Sequence, residues 1–132
     1  MSETLPVRVH HDFASSLCYV AHRVLPRIEA ELAALGIALV WTPVDLARLV
    51  GGYRAGRSLD GARRENAARV ARELGVELSV PRVWPDARAL GATALLAEPL
   101  GRGASWLERA FCAVFEEGRL DVDAATASHL AH

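Results

Sequence analysis

Both sheet strands legible in this chain lie before residue 45, and that shortage constrains the fold more than any other feature. Val7, Val9, His11 and Phe13 alternate with Arg8, His10 and Asp12, the period of two expected of a strand. Ile37 to Thr42 is a continuous apolar run stopped by Pro43, which predicts a buried strand. Between them, Leu17, Val20, Ala21, Val24, Leu25, Ile28, Leu32 and Leu35 fall at helical spacing, with Gly36 just past the end. Pro26 sits inside that pattern and predicts a break. Strand, helix and strand in this order predict a βαβ unit with parallel strands.

The rest reads as helices with one extended stretch, Val76 to Val83. Asp45 is placed to cap a short helix through Val50, Ser58 to open one running to Leu74, and Asp86 to cap one reaching about Ala97. Ser105-Trp106-Leu107-Glu108 has the form of a capping box for a helix ending near Gly118, and Asp123 can cap a last one. The expected fold is α/β but mostly helical: one domain over 1–132, with a βαβ half at 1–45 and a helical region at 46–132. Two parallel strands leave both edges open and one face uncovered, so a partner chain or further sequence is expected to complete the sheet. Self-association into a homo-oligomer is the expectation that follows.

Net charge is −1, which provides no global field for nucleic acid or an anionic membrane. No apolar run approaches the roughly 20 residues that cross a bilayer. The acidic start, Met-Ser-Glu-Thr, is unlike a signal peptide, so a cytoplasmic location with reduced thiols is expected. All 15 basic residues are arginine, which excludes a catalytic lysine and, with abundant alanine, suggests a GC-rich bacterial source.

The residues that carry chemistry are Ser15-Ser16-Leu17-Cys18, at the joint between the first strand and the first helix. A helix N-terminus presents free N–H groups and a partial positive charge. That environment stabilises a thiolate and lowers the pKa of a cysteine in the first turn. The same pattern also reads as an ordinary serine cap with Cys18 as a buried helix residue.

The run Val9 to Ala21, with Asp12-Phe13-Ala14-Ser15-Ser16 at its centre, resembles the opening of the DsbA-like thioredoxin superfamily. The likeness is to the branch of 2-hydroxychromene-2-carboxylate isomerases and kappa-class glutathione transferases. Trp41-Thr42-Pro43-Val44-Asp45-Leu46, the Leu74-Gly75-Val76 helix end before Pro81, Trp84-Pro85-Asp86-Ala87-Arg88, and Phe111 to Gly118 continue the likeness in order. The resemblance implies a thioredoxin-like βαβ unit with a helical insertion, and an enzyme of the isomerase or oxidoreductase kind. It implies that Ser15 replaces the first redox cysteine and contacts a glutathione sulfur, with Cys18 in the second-cysteine position. Ser15 and Cys18 are thus the candidate catalytic residues, and Ser15 and Ser16 candidates for binding glutathione; Trp84, beside Pro85, reads either as a further glutathione-binding residue lining the cleft or as a packed core tryptophan. Ser16 departs from the family's usual proline. The family's last third, including its cis-proline strand, has no counterpart here, so the chain is expected to be incomplete at its C-terminus.

Glutathione is the implied cofactor, and an aromatic or thiol compound the implied substrate; no metal, nucleic acid or membrane is expected. The resemblance also leaves room for monothiol oxidoreductase chemistry at Cys18, or for a non-catalytic partner-binding module. Cys18 and His22 lie four apart, but no further metal ligands are evident. Cys112 reads as a residue on a buried helix face. The arginines at 54, 57, 63, 64, 69 and 72 read as a solvated face or as a dock for a carboxylate.

Overall fold

A computed structural model of the chain describes residues 3–49 and 55–131. Strand β1 (Leu5–His11) runs into helix α1 (Ser16–Val24), a 3-10 turn (Leu25–Ile28), helix α2 (Glu29–Ala34) and strand β2 (Ile37–Pro43). Pro26 stands at the start of the 3-10 turn, where its missing N–H and fixed φ break the long helical pattern. Gly36 takes φ 76, a left-handed turn that only glycine adopts freely, and returns the chain to the sheet.

The two strands pair in parallel from Leu5 opposite Ile37 to His11 opposite Pro43, the expected βαβ unit. Leu5, Val7, Val9 and His11 therefore share a face with Ile37, Leu39, Trp41 and Pro43. That face is covered at the His11 end, where the imidazole meets Trp41 and Phe111 edge-on or tilted, and opens towards Val7 and Leu5. The expectation of a fully buried second strand is corrected: β2 is half-buried, with Val40 exposed, because only one strand and one covered face adjoin it.

The helical region holds α3 (Leu46–Leu49), α4 (Gly61–Glu73), α5 (Arg88–Ala97), a 3-10 turn (Glu98–Leu100), α6 (Gly103–Phe115) and α7 (Ala124–Ala131). The expected end of α3 at Val50, and Arg54 in the basic stretch, lie outside the described residues.

Three caps differ from expectation. Asp60, not Ser58, caps α4, accepting from the Arg63 amide at 2.8 Å. Ser58 is held extended by a bridge to Val83 and cannot begin the helix. Asp86 stands one residue before the α5 cap position, its backbone paired with residues 120 and 122. The capping box is absent because α6 starts at Gly103, leaving Ser105 and Glu108 inside it. Gly101, at φ 70, turns the chain out of the preceding 3-10 turn early enough for that start. Asp123 does cap α7, accepting from Thr126 at 2.7 Å.

Phe13, Tyr19, Val20, Leu90, Trp106, Phe111 and Val114 form the core, joining α1 to α5 and α6. Each such side chain contributes about 1.5–3 kcal/mol by leaving water. The Trp106 indole N–H donates to the Leu90 carbonyl at 3.0 Å, so its burial leaves no polar group unpaired.

Candidate functional site

The β1–α1 joint is built around Asp12. Its carboxylate is buried and accepts from the Ala14 amide at 2.8 Å and the Leu46 amide at 2.9 Å. One side chain thus ties the start of α1 to the start of α3. Burial pushes the Asp12 carboxyl above its usual pKa, and the two amides pull it back. The Asp12 carbonyl accepts from the Ser15 amide at 3.0 Å, and the His11 carbonyl from the Val44 amide at 2.8 Å.

This frame sets Ser15 at the N-cap of α1, extended at φ −93, ψ 120. Its Oγ accepts from the Cys18 amide at 3.3 Å, and its carbonyl from the Tyr19 amide at 3.1 Å. The serine cap read from the sequence is therefore present. Because Oγ acts there as an acceptor, its proton remains available to another acceptor. Among the described residues, the amides of Ser16 and Leu17 have no backbone or side-chain acceptor, as expected of a first turn. A hydroxyl proton, two amides and the end of a nine-residue helix can together hold one anion. A thiolate is such an anion, and these residues fit it.

Ser15, Ser16 and Cys18 are brought together on a single turn, with Cys18 half-buried against the core. Trp84 has other described neighbours. Its backbone pairs with Arg57 and Gly56, and the Arg63 guanidinium lies 5.5 Å from its ring centre. A hollow of about 190 Å³ adjoins the joint, bounded by Asp12, Phe13, Pro43, Asp45, Arg88 and Gly91.

Cys112 differs from the buried-face expectation. It is half-buried, and its Sγ lies 2.6 Å from a Glu116 carboxylate oxygen and 3.3 Å from one of Glu108, either of which can accept its single proton. Burial first, then those two carboxylates, push its pKa up to about 12 and hold it protonated. Glu108, Cys112 and Glu116 place three donor atoms within 4.8 Å of one another, a metal-like grouping that exposed acids often form. Their spacing of four is visible in the sequence. The link from Glu108 to His22 at 2.7 Å and Arg23 at 3.3 Å, across more than 80 residues, is not.

His11 closes β1 and points into the core. It is 2% exposed, and neither ring nitrogen has a hydrogen-bond partner in good geometry. Burial lowers its pKa to about 4, although the Val9 and Thr42 carbonyls oppose that shift. It is therefore a neutral imidazole among Phe13, Trp41 and Phe111. With His22 it lines a cleft of about 610 Å³ between the sheet and α5–α6.

No protein-family model matches the sequence, and no curated protein matches it. A solved structure of selenomethionine 2-hydroxychromene-2-carboxylate isomerase is similar, with a TM-score of 0.64 at 18% identity. The match covers 96% of this chain and 66% of that one. The chain thus has the thioredoxin-like DsbA fold expected from its sequence and spans just under two thirds of that isomerase's length. Among the described residues, no helix is long and apolar enough to cross a membrane.

Proposed function

We propose that this chain binds glutathione through its sulfur at the N-terminus of α1, as part of an isomerase- or transferase-type protein. The observation that carries the reading is Ser15. Its Oγ accepts from the Cys18 amide, leaving its proton free at the helix end that carries two unspent amides. The resemblance of the Asp12–Ser16 segment to glutathione-dependent isomerases, and the shared fold, support the same choice.

In this reading Ser15 donates to the sulfur, and the Ser16 and Leu17 amides face its charge. Asp12 acts at one remove, locking the joint so that these groups stay aimed together. Bound glutathione supplies a sulfur nucleophile that adds to an unsaturated carbon and leaves again, freeing a double bond to isomerise.

Calorimetric titration of glutathione into the wild-type, Ser15→Ala and Ser15→Gly chains tests this. Losing one charge-assisted hydrogen bond should weaken binding about ten- to a hundredfold in both variants. Glycine is nearly as good a cap as serine, so Ser15→Gly should lose only a few tenths of a kcal/mol of stability, against about 1 for Ser15→Ala. Equal glutathione affinity in all three chains would leave Ser15 a cap alone. A mixed disulfide on Cys18 without reversible binding would favour monothiol chemistry instead.

A further inference from the structure

A second cavity lies in the helical region. Helices α5, α6 and α7 and the turn Glu98–Leu100 bound an open groove of about 770 Å³, within the size range of small-molecule sites. Its walls are mainly aliphatic. Leu96 and Leu100 are 72% and 70% exposed there, and Ala92 lies one turn before Leu96. Trp106 lies beneath the groove, 3% exposed, with its N–H spent on the Leu90 carbonyl.

The polar side of the groove has one sign. Arg102, at the N-cap of α6, and Arg109, two turns into that helix, both line the groove. Arg109 gives one hydrogen bond to the Leu130 carbonyl at 2.9 Å. Among the described residues neither guanidinium has a carboxylate partner, and no acidic side chain lines the groove. Exposed leucines beside two arginines that have no carboxylate partner among the described residues match a ligand with an apolar body and an anionic end. Apart from Trp106 the walls offer no aromatic ring, so they suit a flexible chain better than a stacked flat one.

We propose that this groove binds a monomeric amphiphile of the fatty-acid type: one carboxylate head and an unbranched hydrocarbon tail. Arg102 and Arg109 take the head. The tail covers Ala92, Leu96 and Leu100. The proposal does not rest on the thiolate site.

The test is calorimetric titration of the whole chain with decanoate, decanol and decyltrimethylammonium, each below the concentration at which it forms micelles. Decanoate should bind once per chain, about three- to tenfold more tightly than decanol, with the cation weakest. The double variant Arg102→Gln, Arg109→Gln should bind decanoate no better than decanol. Arg102→Gln alone, at an exposed position, gives part of that loss if the double variant misfolds. Ser15→Ala should bind decanoate like the wild type, which separates this site from the one at α1. Absence of decanoate binding, or equal affinity for decanoate and decanol in the wild type, overturns the proposal.

Discussion

Asp12→Ala is the substitution whose cost follows most directly from the structure. Its two carboxylate oxygens satisfy two amides from separate segments, Ala14 in the β1–α1 joint and Leu46 at the start of α3. Alanine strands both. An unsatisfied buried amide costs about 1–3 kcal/mol. The Leu46 end is only partly buried, so water offsets some of its loss, and the total should fall near 2–4 kcal/mol. For a chain of this size that corresponds to a fall in Tm of roughly 10 °C. Asp12→Asn keeps one acceptor but turns an NH2 towards the other amide. It also removes a charge whose pKa burial has raised. A raised carboxyl pKa contributes stability at low pH that is lost as pH rises through the folded pKa, so the ionised Asp12 bears a desolvation cost near neutrality. The asparagine variant should therefore fall between alanine and wild type. Far-UV circular dichroism melts of the three chains give the ordering. An Asp12→Ala chain melting within about 2 °C of wild type would refute the clamp, leaving the backbone bond from Val44 to His11 to hold the joint.

Two further outcomes follow from buried titratable groups. His11 has its folded pKa lowered to about 4 from 6.5, so its contribution to stability is complete above 6.5 and lost as pH falls towards 4. Urea melts across that window should lose up to about 3 kcal/mol, and His11→Phe should flatten that part of the profile; an unchanged profile would contradict the assignment. Cys112 is held protonated between Glu108 and Glu116, whereas Cys18 lies in the first turn of α1. Alkylation at neutral pH with mass mapping should therefore label Cys18 first, and Cys112 labelling as fast or faster would count against it.

The βαβ half was legible because each of its signals is local. Pro26 breaks a helix wherever it falls in a long pattern, Gly36 permits the left-handed turn, and Ser15 caps whatever helix follows it. The helical region was less legible where tertiary contacts overrode local signals. Ser58 is a good cap residue, yet its bridge to Val83 holds it extended and passes the role to Asp60. Glu108 has capping-box spacing but is used by His22 and Arg23 from α1. Ser15 could be found because helix-end chemistry depends on a few consecutive residues. Asp12 could not be assigned its role, since its second partner lies 34 residues away. His11 read as one alternating strand residue among several, and burial among Phe13, Trp41 and Phe111 is what lowers its pKa to about 4.

The central claim is that the start of α1 holds a thiolate, and the acidity of glutathione bound to the chain tests it most directly. Ultraviolet thiolate absorbance of the saturated complex, followed against pH, reports that acidity. An unperturbed thiol titrates near 8.5, and helix N-termini lower such values to roughly 3.5–7.5. The account predicts a bound thiol at least about one unit below the free one, with part of that shift lost in Ser15→Gly. A bound thiol that titrates like free glutathione, or a wild-type chain that glutathione does not saturate, would contradict it.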